Sequence, residues 1–260
     1  MMTHCHLRLP PLISELVISR FQVFIHLLQP IQLTEDKMKR QLLYIIMCIY
    51  ALSAASQRVS VLGDSYSTYE GFMTPSTNEL WYYAKNDTAK TDVSCVQDTW
   101  WWQLIKDNGC KLCVNNSYSG ATIGYTGYDG NDYSARSFIT RMCNIGDPDI
   151  ILVFGATNDS WAGEEVGEYK YSDWNYGDFA TFRPAMAYLL DYLTLHHPNV
   201  AIYFIVNSEL RDDITESCRT ICAHYGVGCI ELKDIDKKMG HPTKAGMKAI
   251  AEQVGKAVFK

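Results

Sequence analysis

The chain has 260 residues, of which 47% are hydrophobic and 20% are charged, and its formal net charge is −6. This length and apolar content suffice for a sizeable buried core in one or two domains. Because the chain is acidic and has no basic stretch interleaved with aromatic residues, a typical nucleic-acid groove is excluded and no nucleic-acid partner is expected.

The N-terminal region predicts an export signal. Residues 1–37 contain an apolar middle broken by prolines and are interpreted as an upstream extension before a start at Met38, with a real helical extension as the alternative. Residues 38–56 have the charged start, short apolar centre and small-residue exit of a secretory signal peptide. The apolar run is shorter than the about 20 residues of a membrane span, so no stable membrane insertion is predicted. The expected location is secreted or periplasmic.

Predicted strands and helices alternate from residue 57 onward. Apolar or β-rich runs predict strands at 58–62, 111–115, 149–154, 201–206 and 228–232. Helices are predicted at 100–107, 137–145, 179–197, 208–225 and 243–259. The aromatic, polar stretch 69–99 is predicted to be an insertion over the site. The alternation predicts a parallel sheet with helices on both faces, in one domain over residues 57–260.

Three short motifs lie at the predicted strand ends, where open α/β sheets build their sites. They are Gly63-Asp64-Ser65, Gly155-Ala156-Thr157-Asn158-Asp159 and His241-Pro242-Thr243. A serine hydroxyl becomes a good nucleophile when an imidazole takes its proton, and preorganised donors stabilise the oxyanion that forms. The three motifs together therefore indicate a serine hydrolase.

These motifs, with Asn116-Ser117-Tyr118-Ser119-Gly120, resemble the motif blocks of the SGNH/GDSL hydrolase superfamily over nearly the whole chain after about residue 57. The resemblance implies an α/β fold, a flavodoxin-like three-layer α/β/α sandwich. It implies that Ser65 is the nucleophile and His241 the general base. It also implies an oxyanion hole formed by the N–H groups of Ser65 and Gly120 and by the side-chain amide of Asn158.

One position departs from the pattern of this family. Members usually carry an aspartate three residues before the base, and here that position is Lys238. Asp236 is the predicted triad acid, provided that the loop at 239–240 bulges enough for its carboxylate to reach the imidazole Nδ1–H. Asp234 is a second candidate. A backbone carbonyl that orients His241 in a Ser–His dyad is the third.

The cysteines give no metal prediction. Seven follow residue 57: Cys95, Cys110, Cys113, Cys143, Cys218, Cys222 and Cys229. An odd number prevents complete pairing within one chain, and the pairing stays open. No second Cys-x-x-Cys complements Cys110 and Cys113, so neither a metal nor a cofactor is predicted.

Aromatic residues after the strand ends indicate the substrate. Flat rings with polar edges suit sugar faces as well as acyl chains. Trp161 and Trp174 follow the Asn158 motif and are predicted to bind substrate. With the resemblance, this favours a serine esterase that removes small acyl groups such as acetate, with a glycan ester as the expected partner. The alternatives are a lipid-active lysophospholipase or thioesterase of the same fold, and a non-catalytic glycan-binding protein on a hydrolase scaffold.

Overall fold

The structure, a computed structural model, describes residues 37–44, 56–85 and 87–259. The chain divides into two units, residues 1–55 and 56–260. In the first unit, residues 37–44 form an exposed helix. The upstream extension and most of the apolar run of the expected signal peptide lie outside the described residues. Among the helices that are described, none is long and apolar enough to cross a membrane.

A five-stranded parallel sheet forms the centre of the second unit. Its strands are β1 (Arg58–Gly63), β2 (Lys111–Asn115), β3 (Ile150–Gly155), β4 (Ala201–Val206) and β5 (Gly228–Glu231). Their order across the sheet is β2-β1-β3-β4-β5, and every neighbouring pair is parallel. All six residues of β3 are buried. This burial on both faces explains the continuous apolar run in its sequence.

Helices cover both faces of this sheet. They are α1 (Trp100–Asp107), α2 (Phe138–Arg141), α3 (Thr157–Ala162), α4 (Phe182–His196), α5 (Asp212–Tyr225) and α6 (Lys244–Val258). Successive strand residues point to opposite faces. Leu62 accordingly packs in the core that α4 and α5 cover, whereas Val61 packs in the core beneath α1 and α6. The predicted three-layer α/β/α sandwich is therefore confirmed.

The helix predicted at 137–145 is much shorter in the structure. It spans Phe138–Arg141 only. The side-chain amide of Asn116 donates to the carbonyls of both Arg141 and Asn144. The Arg141 carbonyl also accepts from the N–H of Asn144 in a tighter turn, where a longer helix would use the N–H of residue 145. The tertiary contact from Asn116 thus stabilises a turn at the point where the sequence pattern predicts helix.

Two features of the fold position the site. β1 lies between β2 and β3, and the chain leaves β1 and β3 at the reversal of strand order, where α/β sheets form a crevice. A separate hairpin joins β6 (Lys237–Lys238) to β7 (His241–Pro242). Its two turn residues, Met239 and Gly240, have φ of 49° and 76°. Positive φ at both positions is the geometry of a type I′ turn, which matches the twist of a hairpin.

Candidate active site

Ser65 lies at the first bend after β1. It begins a single 3-10 turn, Ser65–Ser67, which the carboxylate of Asp64 caps by accepting from the N–H of Tyr66 at 2.9 Å. A Cβ on Gly63 would lie 2.6 Å from the hydroxyl oxygens of both Ser67 and Ser117. Only glycine therefore fits where β1 ends. The Ser65 side chain is left in a narrow place, with 3% of the residue exposed.

His241 contacts this serine directly. Its Nε2 lies 2.9 Å from Ser65 Oγ, and its Nδ1 lies 3.0 Å from the carbonyl oxygen of Met239. A carbonyl only accepts, so Nδ1 carries the hydrogen and Nε2 is free to accept the serine proton. Two tyrosines hold the hairpin in place: the Tyr66 hydroxyl donates to the Gly240 carbonyl, and the Tyr82 hydroxyl donates to the Pro242 carbonyl.

The predicted contact between Asp236 and His241 is not formed. Asp236 instead accepts a hydrogen bond from the hydroxyl of Thr243, the residue that caps the N-terminus of α6. The side chain of Asp234 is exposed. In the structure, the Nδ1–H group of His241 donates to the backbone carbonyl of Met239. This arrangement corresponds to the Ser–His dyad alternative. The reason is local: in the tight 239–240 turn, that carbonyl already occupies the position an acid would need.

Aromatic rings enclose the imidazole. Trp81 stacks face to face on His241, with ring centres 3.5 Å apart and an angle of 8° between the planes. Trp161 meets the imidazole edge-on at 5.9 Å, and Tyr66 lies at 5.4 Å. This burial lowers the pKa of His241 to about 4, although the hydrogen bond to Met239 acts in the opposite direction. The imidazole is therefore neutral, and able to act as a base, throughout the range around neutral pH.

Trp81 was not among the residues that sequence reasoning assigned to the site. It lies in the aromatic insertion, where the run Trp81-Tyr82-Tyr83 is a visible signal, but a pattern of aromatic residues does not specify which ring meets the base. Of the two tryptophans predicted to bind substrate, Trp161 lies against His241, and 43% of it is exposed. Trp174 packs edge-on against Tyr188 of α4 and donates to the Lys170 carbonyl. Within the described residues, no hydrogen bond or ring contact joins it to Ser65, Asn158 or His241.

Asn158 is placed by the first turn of α3, directly after β3. Its amide nitrogen donates to the Ala121 carbonyl at 2.9 Å, and its amide oxygen accepts from the Tyr128 hydroxyl at 3.0 Å. These two contacts fix which way the amide points, and the second N–H of the amide group stays available. Within residues 56–85 and 87–259, the backbone N–H groups of Ser65 and Gly120 donate to no protein acceptor. All three predicted oxyanion-hole residues therefore keep a free donor.

Buried carboxyl groups lie behind these residues. Asp64 is completely buried, and this raises its pKa to about 7. Burial also raises the pKa of Asp159, whose carboxylate accepts from the Ile123 N–H at 2.8 Å. Glu164 is 3% exposed, and burial together with the neighbouring Asp159 charge raises its pKa to about 11. Glu164 is therefore protonated, and the hydrogen bonds of Asp64 and Asp159 hold the loops that carry the site residues.

A cavity of about 440 Å³ is lined in part by Trp81, the residue that stacks on His241. Trp81 and Ser119, the neighbour of Gly120, line it together with Glu79, Tyr83, Lys85 and Lys90. Leu80, Asp87 and Thr91 complete the lining, so charged side chains and apolar surface both contribute to the wall. In the part of the chain that the structure describes, no three His, Cys, Asp or Glu side chains come together as a metal site. The seven cysteines of the second unit form no disulfide there.

A serine–imidazole pair with free N–H donors, at the switch point of an α/β/α sandwich, defines a hydrolase of the acyl-transfer class. The GDSL-like Lipase/Acylhydrolase family model matches residues 57–258. The chain belongs to this family, and the membership supports hydrolysis of ester bonds.

Solved structures agree with this assignment. A candidate GDSL-like lipase from Bacteroides ovatus is 57% identical, with a TM-score of 0.76, over 77% of this chain and 96% of its own. A second, from Bacteroides uniformis, is 49% identical with a TM-score of 0.77, over 79% and 96% of the two chains. A Lactobacillus plantarum protein is 22% identical over 77% and 95%, with a TM-score of 0.55, and shows the fold alone. No curated protein matches the chain.

Proposed function

We propose that the protein is a serine esterase that removes small acyl groups, such as acetate, through an acyl-Ser65 intermediate. The observation that carries this proposal is the contact of 2.9 Å between Ser65 Oγ and His241 Nε2, with the tautomer of His241 fixed by the Met239 carbonyl. This arrangement provides a nucleophile, a base that is neutral at neutral pH, and an orienting group for the base.

The reaction follows from these positions. Ser65 Oγ attacks the ester carbonyl carbon while its proton passes to His241 Nε2. The negative charge that develops on the carbonyl oxygen is met by the N–H groups of Ser65 and Gly120 and by the Asn158 amide. The imidazolium then gives its proton to the leaving alcohol. In the second half, His241 takes a proton from water, the hydroxide attacks the acyl-enzyme, and Ser65 regains its proton as the carboxylic acid leaves.

Two contacts stabilise the imidazolium where other serine hydrolases use a carboxylate. The Met239 carbonyl accepts from Nδ1–H, and the stacked indole of Trp81 presents its π-face to the ring. A π-face attracts a cation by about 0.5–2 kcal/mol, depending on how far the pair is desolvated. In this proposal the two contacts offset part of the desolvation that disfavours the charged imidazole, and the Ser–His dyad carries the proton transfers.

The surroundings of the site favour a short acyl group and a polar alcohol. Ser65, His241 and Asn158 are each at most 6% exposed, so the space at the reacting atoms is tight. The cavity that Trp81 lines combines aromatic rings with charged side chains, including Glu79 and Lys85, and such a wall suits sugar faces and their hydroxyl groups. We therefore extend the proposal to acetylated glycans as the substrate class.

We also propose that the protein is exported, since residues 38–56 have the pattern of a signal peptide. Mass spectrometry of protein recovered from the producing cells tests this. The expected result is a mature N-terminus at Gln57. Recovered protein that still contains residues 38–56 would contradict the export proposal.

The esterase proposal is tested with p-nitrophenyl acetate, butyrate and octanoate. The wild-type protein is expected to hydrolyse acetate fastest, and Ser65→Ala to lose turnover by at least about 1000-fold. Ser172→Ala, on an exposed segment, is the matched control and should behave as wild type. A preference for octanoate would instead support the lipid-active alternative.

The missing carboxylate partner of His241 is the one observation that favours a non-catalytic glycan-binding protein. Binding of acetylated xylo- or manno-oligosaccharides without release of acetate, by protein that is folded, would establish that alternative. Acetate release that disappears in Ser65→Ala would exclude it.

A further inference from the structure

We infer that Arg136 binds a carboxylate group carried by the substrate, next to the proposed oxyanion hole. This inference rests on the proposed esterase function and deepens it by naming a substrate class. The preferred substrates are esters with a negatively charged group a few atoms from the scissile carbonyl, such as the ester of an acidic sugar or of a dicarboxylic acid.

Arg136 lies at the wall of the site between two tyrosine rings. Its guanidinium carbon is 5.3 Å from the ring centre of Tyr118 and 4.5 Å from that of Tyr133. A Cβ placed on Gly120 would lie 3.7 Å from Nη1 of Arg136. The positive charge is therefore next to a residue whose N–H is a proposed oxyanion donor. Because Gly120 has no side chain, that residue leaves the approach from the substrate to the guanidinium open.

The same wall continues to the other side of the oxyanion hole. The ring of Tyr133 lies 6.3 Å from the ring of Tyr128. The Tyr128 hydroxyl donates to the amide oxygen of Asn158 at 3.0 Å. Asn158, Tyr128, Tyr133 and Arg136 thus form a continuous series of contacts that ends beside Gly120. Arg136 belongs to the same layer of side chains that orients the oxyanion donors.

Apart from the two tyrosine rings, the guanidinium of Arg136 has no partner in the part of the chain that the structure describes. Within residues 56–85 and 87–259, no carboxylate forms an ion pair with it and no oxygen accepts a hydrogen bond from it. The other arginines of these residues all have such oxygens: Arg58, Arg211 and Arg219 pair with carboxylates, and Arg141 and Arg183 donate to carbonyl or hydroxyl oxygens.

This combination suits recognition of a carboxylate. The guanidinium has a fixed fork of N–H donors that matches the two oxygens of a carboxylate, and stacking on aromatic rings orients it before the ligand arrives. Arg136 is half-buried, so part of its hydration is already removed. A hydrogen bond to a charged group contributes about 1.5–3 kcal/mol, which corresponds to about 10- to 100-fold in kcat/KM.

The test uses two matched pairs of esters at neutral pH. For a carboxylate on the acyl side, p-nitrophenyl hemisuccinate is compared with its neutral methyl ester. For a carboxylate on the alcohol side, p-acetoxybenzoate is compared with p-acetoxybenzamide. The proteins are the wild type, Arg136→Gln and Arg136→Lys, with Arg58→Gln as the control, because Arg58 lies at the amino end of β1, away from the site. Thermal unfolding verifies that each variant is folded.

In at least one pair, wild-type protein is expected to prefer the anionic member, which also identifies the side that carries the carboxylate. Arg136→Gln should lower kcat/KM for that member by about 10- to 100-fold, mainly through KM, and leave its neutral partner within about 3-fold. Arg136→Lys should retain part of the preference, since it keeps the charge without the fork.

Two outcomes overturn the inference. One is a wild-type protein that shows no preference for the anionic member of either pair. The other is an equal loss of kcat for charged and neutral esters in Arg136→Gln, which would mean that the charge acts on the oxyanion itself. Binding of the same esters to Ser65→Ala, measured by calorimetry, tests Arg136 without turnover. Failure of every ester to react therefore contradicts the esterase function separately from the carboxylate site.

Discussion

At the scale of single residues, the environment of His241 differs from that of an ordinary histidine. Its pKa is lowered to about 4 by burial, and the nearest of the aromatic rings around it is the stacked indole of Trp81, at 3.5 Å. Burial disfavours the charged form of an imidazole. The same rings that keep water out therefore keep the base neutral, so that it is ready to accept the proton of Ser65.

This environment predicts the pH dependence of hydrolysis. Only the neutral imidazole is a base, so kcat/KM of the wild-type protein is expected to fall on the acid side with a midpoint near pH 4. Trp81→Ala exposes the ring, and its acid limb should move upward toward the ordinary value of 6.5. Trp81→Phe keeps a stacked ring and is the matched variant. If the acid-side midpoint of kcat/KM is the same for Trp81→Ala and the wild type, the indole does not set the pKa of His241.

Asp236 provides a second test at this scale. Its carboxylate contacts Thr243, the cap of α6, while the Met239 carbonyl orients the imidazole. Asp236→Asn is therefore expected to change kcat by less than about 3-fold and stability by about 1 kcal/mol at most, the usual cost at a helix cap. In triad hydrolases, removing the acid costs about 10,000-fold. A loss of that size here would mean that Asp236 reaches His241 during turnover.

At the scale of elements, the hairpin that carries His241 places the Met239 carbonyl against Nδ1 through a turn whose backbone conformation is unfavourable for most residues. Both turn residues have positive φ, and glycine satisfies this freely at position 240. Met239 adopts φ of 49° although it is an unbranched apolar residue, and 64% of it is exposed. Its side chain therefore contributes little burial to offset the conformation, whereas its carbonyl carries the contact to Nδ1.

Met239→Asn is expected to stabilise the protein without loss of activity. Asparagine tolerates the left-handed region better than methionine and is the favoured first residue of type I′ turns. A gain of about 0.5–1 kcal/mol should raise the melting temperature by about 1–3 °C. Met239→Val is the contrasting variant, because a β-branched side chain opposes positive φ and should displace the carbonyl. A lower melting temperature for Met239→Asn than for Met239→Val would contradict this account of the turn.

The same hairpin marks the limit of what the sequence could predict. Long apolar runs gave the strands at 111–115 and 201–206 and the helix at 100–107 with the bounds that the structure has. Ser65 and Asn158 follow predicted strands, and these two residues and His241 were identified by their match to the motif blocks of the family. The partner of Nδ1 was not, because it is a backbone carbonyl in a two-residue turn, and a backbone atom leaves no residue type to recognise.

Long-range contacts also limited the prediction of the site wall. Trp81 is separated from His241 by 160 positions along the sequence and comes from an insertion with no regular pattern. Trp174 and Trp161 lie in the same aromatic-rich segment of the sequence. In the structure, however, Trp174 packs against Tyr188 of α4. Aromatic enrichment thus predicted that rings surround the site, whereas three-dimensional packing decides which of them do.

At the scale of the whole molecule, the site lies at the carboxyl ends of β1 and β3, where the chain also buries several ionisable side chains. The loops after β1 and β3 bring Asp64 and Asp159 into the interior, where both residues are shielded from bulk solvent. Glu164 and Arg141 are buried in the same region, Glu164 beside Asp159 and Arg141 beside Asp64. Holding these loops rigid requires buried hydrogen bonds, and the acids that supply them are costly to ionise. Stability should therefore depend on pH in a direction opposite to that of most salt-bridged proteins.

Asp64 allows this to be measured. Its pKa rises from 3.8 to about 7 on folding, so between these values the folded state binds more protons than the unfolded state. The free energy of unfolding therefore falls as pH increases from about 4 to 7, by up to about 4 kcal/mol from this group, and levels off above it. Asp159 and Glu164, whose pKa values are also raised, act in the same direction.

Asparagine resembles the protonated form of Asp64, because it keeps the oxygen that accepts from Tyr66 N–H and carries a donor in place of the carboxyl O–H. Urea unfolding of the Ser65→Ala variant from pH 4 to 8 is expected to show a free energy of unfolding that falls as pH rises. The double variant with Asp64→Asn should show a smaller fall. Asp107→Asn, on the exposed end of α1, is the control and should leave the slope unchanged. An undiminished slope in Asp64→Asn would assign the pH dependence to the Asp159 and Glu164 pair, because those are the other buried acids whose protonation favours the fold.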